Sequence, residues 1–267
     1  MFGNAPQMRI AMPSITPVVK WLLIINIAVY FMQIMGGEGF LMSGFSLYPA
    51  PLPLVLQAWR LVTYQFLHGN LWHILFNMMG LFFLGPTLER HWGGKKFLGF
   101  YLTCGIAGGL LYPILFWLKI IGPYPLPLIG ASGAILGMLA ACAILFPHFV
   151  VFFIIFPVPI RTASVIIIFM ATIIILSRGA NAGGEAAHLG GMAAGAIYVF
   201  SQSWRARMKL KFTAKRTETK RIAQQKLQSE VDRILDKVHH TGIHSLNSRE
   251  KKILKQATKT EQMRGKL

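Results

Sequence analysis

Acidic residues are scarce in this sequence. There are nine among 267, and only Glu38, Glu89 and Glu185 precede residue 200. Charged side chains of both signs make up 13% of the chain, about half the ~25% usual in soluble domains. An ordinary water-soluble domain is therefore a poor reading of this composition. Cysteine is nearly absent as well. Cys104 and Cys142 both lie inside apolar runs, where a thiol behaves as a small buried hydrophobe. Two such residues build neither a disulfide framework nor a zinc site. No small-residue cleavage site follows the first apolar run, Val18 to Met35, so that run reads as a retained span, not a removed signal peptide. No inverted repeat is visible and charges are few within the apolar runs, which argues against a transporter.

What is present is apolar residue and basic charge, unevenly placed. The chain is 54% hydrophobic, and 18 of its 27 Lys and Arg residues follow Gln202. The expected organisation is a cytoplasmic N-terminal segment over 1–16, a membrane-embedded body over 17–204, and a basic cytoplasmic tail over 205–267, partly helical. A span of a ~30 Å core needs about 20 apolar residues. The candidates are Pro17–Met35, Leu71–Leu88, Lys96–Leu118, Ser132–Phe146, Thr162–Leu176 and Ala187–Trp204. Fold class is thus an all-α polytopic membrane protein with six helices. Phe149–Phe156, β-branched and aromatic between prolines, reads as a membrane-surface loop. With the N-terminus inside, the inner loops hold Arg9, Lys20, Arg90, Lys95, Lys96 and Arg161, and the outer loops only Arg60, Lys119 and Arg178. That asymmetry and the basic tail place both termini in the cytoplasm.

The fourth run is short. Its 15 residues give about 22 Å of helix at ~1.5 Å per residue, so its outer end stops inside the membrane. Non-helical backbone at that depth needs protein or water around it. Ser132 therefore stands at a submerged helix N-terminus in a water-filled cavity. His188, 56 residues later, is expected to open the sixth helix at the same depth. Gly133 and Gly137 in one run, and Gly191 and Gly195 in the other, are small faces that let two helix backbones approach. Ser132 and His188 then meet, and the imidazole can serve as base for the hydroxyl. The expectation is a Ser–His dyad without an acid, although Glu185 lies three residues before the histidine, within reach. The Ser132 amide at a helix N-terminus is a ready donor to a developing oxyanion. His73 and Asn77, at i and i+4 of the second run, are polar groups on one face of an otherwise apolar helix and need a purpose there.

These residues carry a resemblance. GASG around Ser132, HILFN from His73 to Asn77 and AHLGGMAAG from Ala187, in that order over residues 17–204, resemble the rhomboid intramembrane serine proteases; Trp59-Arg60 and LERHWG match as well. The resemblance implies the six-helix rhomboid bundle with a short fourth helix that starts inside the membrane. It implies Ser132 as nucleophile, His188 as base, and Asn77, His73 and the Ser132 amide as the oxyanion site. Gly130, Gly133, Gly191, Gly195, Arg60 and Glu89 are read as structural support. Implied substrates are membrane-spanning or membrane-anchored proteins cut near helix-unstable segments, with no metal and no cofactor. The implied location is the bacterial inner membrane. The alternative is an inactive rhomboid-like protein that binds membrane-protein clients. One departure is Leu136, where the family often has an aromatic residue that packs on the catalytic histidine. His68 is read as structural. In the tail, Leu227, Val231, Ile234, Leu235 and Val238 have helical spacing, Gly242 is a stop, and a second helix is expected after Ser248. Anionic lipid is the expected partner of the basic tail, and no nucleic acid is expected.

Overall fold

The computed structural model describes residues 14–49, 56–153 and 156–264. Most of the 1–16 segment, with Arg9, lies outside them. The chain divides into two compact units, Met1–Ser201 and Gln202–Leu267.

The first unit is helical. Helix α1 spans Pro17–Met32, with proline where a missing N–H is harmless. Its free N-terminal amides are satisfied from another helix: the Glu89 carboxylate accepts from Val18 N and Val19 N at 3.0 Å each, and from the Thr16 hydroxyl. A buried anion is well placed there. A wide turn over Gln33–Gly37, with Gly36 at φ +104°, leads into α2, Glu38–Phe45. After the one-turn α3, Arg60–Thr63, come α4, Leu71–Trp92, and α5, Gly94–Trp117. The stretch ERHWGGKK, whose Arg90, Lys95 and Lys96 were expected in an inner loop, is mostly helix. Only Gly93, at φ +81°, interrupts it, a conformation that glycine adopts without a Cβ penalty. Helix α6 is Ser132–Leu145 and α7 is Ile160–Leu176. Between them, the expected surface loop is an antiparallel hairpin of β1, Val150–Phe153, and β2, Phe156–Pro159. Its β-branched and aromatic residues suit a strand pair. Helix α8 is Ala182–Thr241, of which Ala182–Ser201 belongs to the first unit.

Among the described residues, three helical stretches are long and apolar enough to cross a membrane: Pro17–Phe45, Leu71–Trp92 and Gly94–Trp117. Helices α6 and α7 are shorter apolar helices. Helix α6 is buried almost all round, from Gly133 to Ala143 except Leu136, as a helix without a polar face must be. It is the central column of the first unit. The same core holds Leu22 of α1, Leu81 of α4, Phe100 of α5 and Met192 of α8. By contrast α7 exposes Val165, Ile166, Phe169 and Met170, an outward apolar face suited to lipid. Leu136 is partly buried against the core.

Two connections position the end of α6 that carries Ser132. Leu47 and Leu128 exchange backbone hydrogen bonds of 3.1 and 2.7 Å. Arg60, buried, donates to the carbonyls of Ser43 and Ser46 at 2.6 Å each, and to the Gln57 side chain. Its fork thereby replaces a sheet in ordering the segment that ends at Leu47.

In the second unit Gly242, at φ +80°, ends α8, and α9 follows over Ser248–Arg264. Asn247 and Glu250 form a reciprocal cap, each side chain accepting from the other's backbone N–H at 2.8 Å. Lys237 Nζ pairs with the same carboxylate at 3.1 Å, and Ile234 and Leu246 are buried.

Candidate active site

The segment into α6 dictates where Ser132 points. Gly130 has φ +115° and donates its N–H to the Tyr64 carbonyl at 2.9 Å. A Cβ on it would stand 2.6 Å from His73 Nε2 and 3.6 Å from Asn77 Nδ2. Only glycine therefore permits both the turn and the close approach to α4. Two residues on, Ser132 is the first residue of α6, where backbone N–H groups have no partner within the helix.

The glycines of α6 and α8 make the second approach. A Cβ on Gly191 would overlap the Gly133 carbonyl oxygen, and one on Gly195 would overlap that of Gly137. A Cβ on Gly108 of α5 would sit 2.5 Å from the Ala187 carbonyl. With backbones this close, side chains at the helix ends meet. His188 Nε2 lies 2.8 Å from Ser132 Oγ.

Helix α8 starts at Ala182, five residues before the expected start, so His188 sits in its second turn and not at its mouth. Asn181 O accepts from Glu185 N at 3.0 Å, and Glu185 in the first turn complements the helix dipole. The earlier start also brings in an acid that the dyad expectation left out. His188 Nδ1 lies 3.0 Å from Glu185 Oε2, and the other carboxylate oxygen accepts from Asn181 Nδ2 at 3.1 Å. The spacing of three residues between Glu185 and His188 was the available signal. Asn181 had none, because its contact exists only if the helix begins at Ala182.

On α4, Asn70 caps the helix by accepting from His73 N at 2.9 Å. His73 Nδ1 accepts from Gly69 N at 3.4 Å, which leaves the proton on Nε2, the nitrogen that faces Gly130. One turn on, Asn77 is buried and its Nδ2 has no hydrogen-bond partner among the described residues. An unpaired buried donor is costly, and this one lies beside the same Gly130. His68 is buried in the preceding loop, its ring edge-on to His73 at 5.1 Å. Its backbone is clamped by Gln33, whose side chain donates to His68 O at 3.2 Å and accepts from His68 N at 3.1 Å.

Ser132, His188 and His73 line one cavity of about 780 Å³, together with Tyr112, Arg178 and Asn181. Its walls place a hydroxyl, a base, an acid behind the base, and at least two N–H donors around one space. The arrangement can deprotonate a hydroxyl and stabilise an oxyanion.

Residues 55–205, more than half of the chain, match the Rhomboid domain family. Residues 217–260 match a second family, of unknown function. The chain is 35% identical over 140 residues to Rhomboid protein 1, mitochondrial, of Saccharomyces cerevisiae, a stretch covering 50% of this chain and 38% of that protein. It is 40% identical over 83 residues to Rhomboid protease GluP of Bacillus subtilis, covering 31% and 15%. With Rhomboid protease GlpG of Yersinia pestis the identity is 32% over 93 residues, covering 35% and 33%. The matched stretches thus span well under half of these relatives' lengths. The family match, together with the motif order read from the sequence, identifies the chain as a member of the rhomboid family of integral membrane proteins.

Proposed function

We propose that this chain is an intramembrane serine endopeptidase with a six-helix rhomboid body. In this reading α6, at 14 residues and about 21 Å, is too short to span, so its N-terminus and Ser132 lie below the outer membrane surface. Both termini face the cytoplasm, and the membrane is the bacterial inner membrane. The observation that carries the reading is the 2.8 Å approach of His188 Nε2 to Ser132 Oγ at the wall of a cavity that brings a few polar groups together in an apolar body.

Ser132 Oγ attacks the scissile carbonyl carbon while its proton passes to His188 Nε2. The oxyanion that forms accepts from the Ser132 amide, Asn77 Nδ2 and His73 Nε2. His188 then returns the proton to the departing amine as the C–N bond breaks. Water, deprotonated by the same nitrogen, attacks the acyl group and frees the serine. Gly130 keeps the donors close, and Gly133, Gly191 and Gly195 keep the base close. Substrates are membrane-spanning or membrane-anchored proteins, since the cavity opens in a body built for lipid and a peptide must unwind to enter it.

Fluorophosphonate labelling of the purified full-length protein tests this. Wild type is expected to label and Ser132→Ala not to. Labelling of Ser132→Ala at the wild-type rate would remove the nucleophile from Ser132.

A further inference from the structure

The geometry points to Glu185 as a positioning residue for His188, locked in place by Asn181, so that the site acts through a four-member chain, Asn181–Glu185–His188–Ser132. This rests on the protease reading and deepens it.

A carboxylate in the first turn of a helix has an ordinary role, to accept from the free N–H groups there. Glu185 does not take it. Its two oxygens go to side chains: Oε2 to His188 Nδ1 at 3.0 Å and Oε1 to Asn181 Nδ2 at 3.1 Å. The rotamer is held from both ends. Asn181 and Glu185 are joined a second time through the backbone, Glu185 N to Asn181 O at 3.0 Å. Gly184 leaves the room this needs, since a Cβ there would stand 2.9 Å from Asn181 Nδ2. The pair is largely shielded: the side chains of His188 and Glu185 are 21% and 15% exposed.

Each nitrogen of the His188 ring must meet a partner of matching hydrogen-bond character. For His188 to act as base, Ser132 Oγ–H must donate to Nε2, so the single ring proton must be on Nδ1. A carboxylate is an acceptor only and selects that tautomer. It also faces the ring when Nε2 takes the serine proton and the imidazole becomes a cation. No bond to carbon is made by Glu185, and no proton need leave Nδ1. A glutamine at 185 has one acceptor and one donor, so it can match His188 or Asn181 as they stand, but not both. An aspartate keeps the charge but is one methylene short.

The test uses full-length enzyme purified in detergent and a quenched fluorescent peptide carrying one transmembrane segment. Active sites are counted by fluorophosphonate titration, so that kcat refers to folded, labelled enzyme. Glu185→Gln is expected to lower kcat by up to about 10⁴-fold, the loss seen when a triad acid is replaced in a soluble serine protease, with KM within about twofold. Glu185→Asp should fall between it and wild type. Asn181→Ala should lower kcat by about tenfold, again without raising KM. A residue that only stabilised the helix would lower the melting temperature and the number of labelled sites, but leave kcat per site unchanged. That outcome for Glu185→Gln overturns the inference. Should Glu185→Gln not fold, Glu185→Asp and Asn181→Ala decide it by the same split. If Ser132→Ala itself cleaves the peptide, the protease reading fails. If Ser132→Ala is dead and Glu185→Gln is wild type per site, only the positioning role fails.

Discussion

Replacing Gly191 with alanine perturbs the site without touching any group that does chemistry. A Cβ there would lie 2.6 Å from the Gly133 carbonyl carbon and 3.0 Å from its Cα, while ordinary contact begins at 3.4 Å. Relief of the first contact requires a shift of 3.4 − 2.6 = 0.8 Å between α6 and α8. The overlapped Gly133 carbonyl oxygen demands more. Both obstacles are backbone and have no rotamer to change. Added to the 2.8 Å between Ser132 Oγ and His188 Nε2, the same shift gives 2.8 + 0.8 = 3.6 Å, past the limit of a useful hydrogen bond. Overpacking of this kind costs about 1–3 kcal/mol, and a misplacement near 1 Å costs about 10²-fold in rate. Gly191→Ala should therefore fold, lose modest thermal stability and lose about 10²-fold in kcat per labelled site. Gly99→Ala, where nothing lies within 4 Å of the added methyl, is the control and should match wild type. A folded Gly191→Ala enzyme with wild-type kcat would refute the idea that glycine packing sets the serine–histidine distance.

Asn77→Ala should lower kcat by about 10²–10³ with little change in KM, and His73→Ala should do the same or less; an Asn77→Ala enzyme destabilised but normal in kcat would make Asn77 a structural tie. In the second unit, the bond from the Asn247 backbone, and then Lys237, hold the Glu250 carboxyl below its ordinary value. The cap's electrostatic contribution is therefore complete above the unfolded carboxyl value of about 4.3 and fades as pH falls through the lower folded value. Amide-exchange protection around Leu246–Glu250 should drop over that interval in wild type and be flat in Glu250→Gln; equal profiles would contradict this.

The site was legible where residue type and spacing determine contact. Ser132 between glycines, His188 heading a glycine-spaced run, and His73 with Asn77 one turn apart all declare themselves, because polar groups in apolar helices need partners. What stayed hidden depended on where elements begin. The stretch NAGGE reads as a loop by propensity, yet α8 starts inside it, since its glycines serve close approach: a Cβ on Gly183 would strike the Tyr112 ring at 2.6 Å. That early start creates the Asn181–Glu185–His188 chain, which spacing alone left undecided between reach and contact. The Phe149–Phe156 segment had the composition of strands, but its partner is the adjoining Phe156–Pro159 stretch, across a hairpin, and run length gave no sign of that. Arg60 and Glu89 were both readable as structural support, but Glu89 as the cap of α1 was not, because the residues it serves, Thr16, Val18 and Val19, lie some seventy positions away.

The most direct measurement is cleavage of a single-span reporter, reconstituted with the purified full-length protein in liposomes, by wild type, Ser132→Ala and His188→Ala. Cleavage by wild type alone is expected, with all three proteins equally helical by circular dichroism. Wild-type turnover by either folded variant would contradict it.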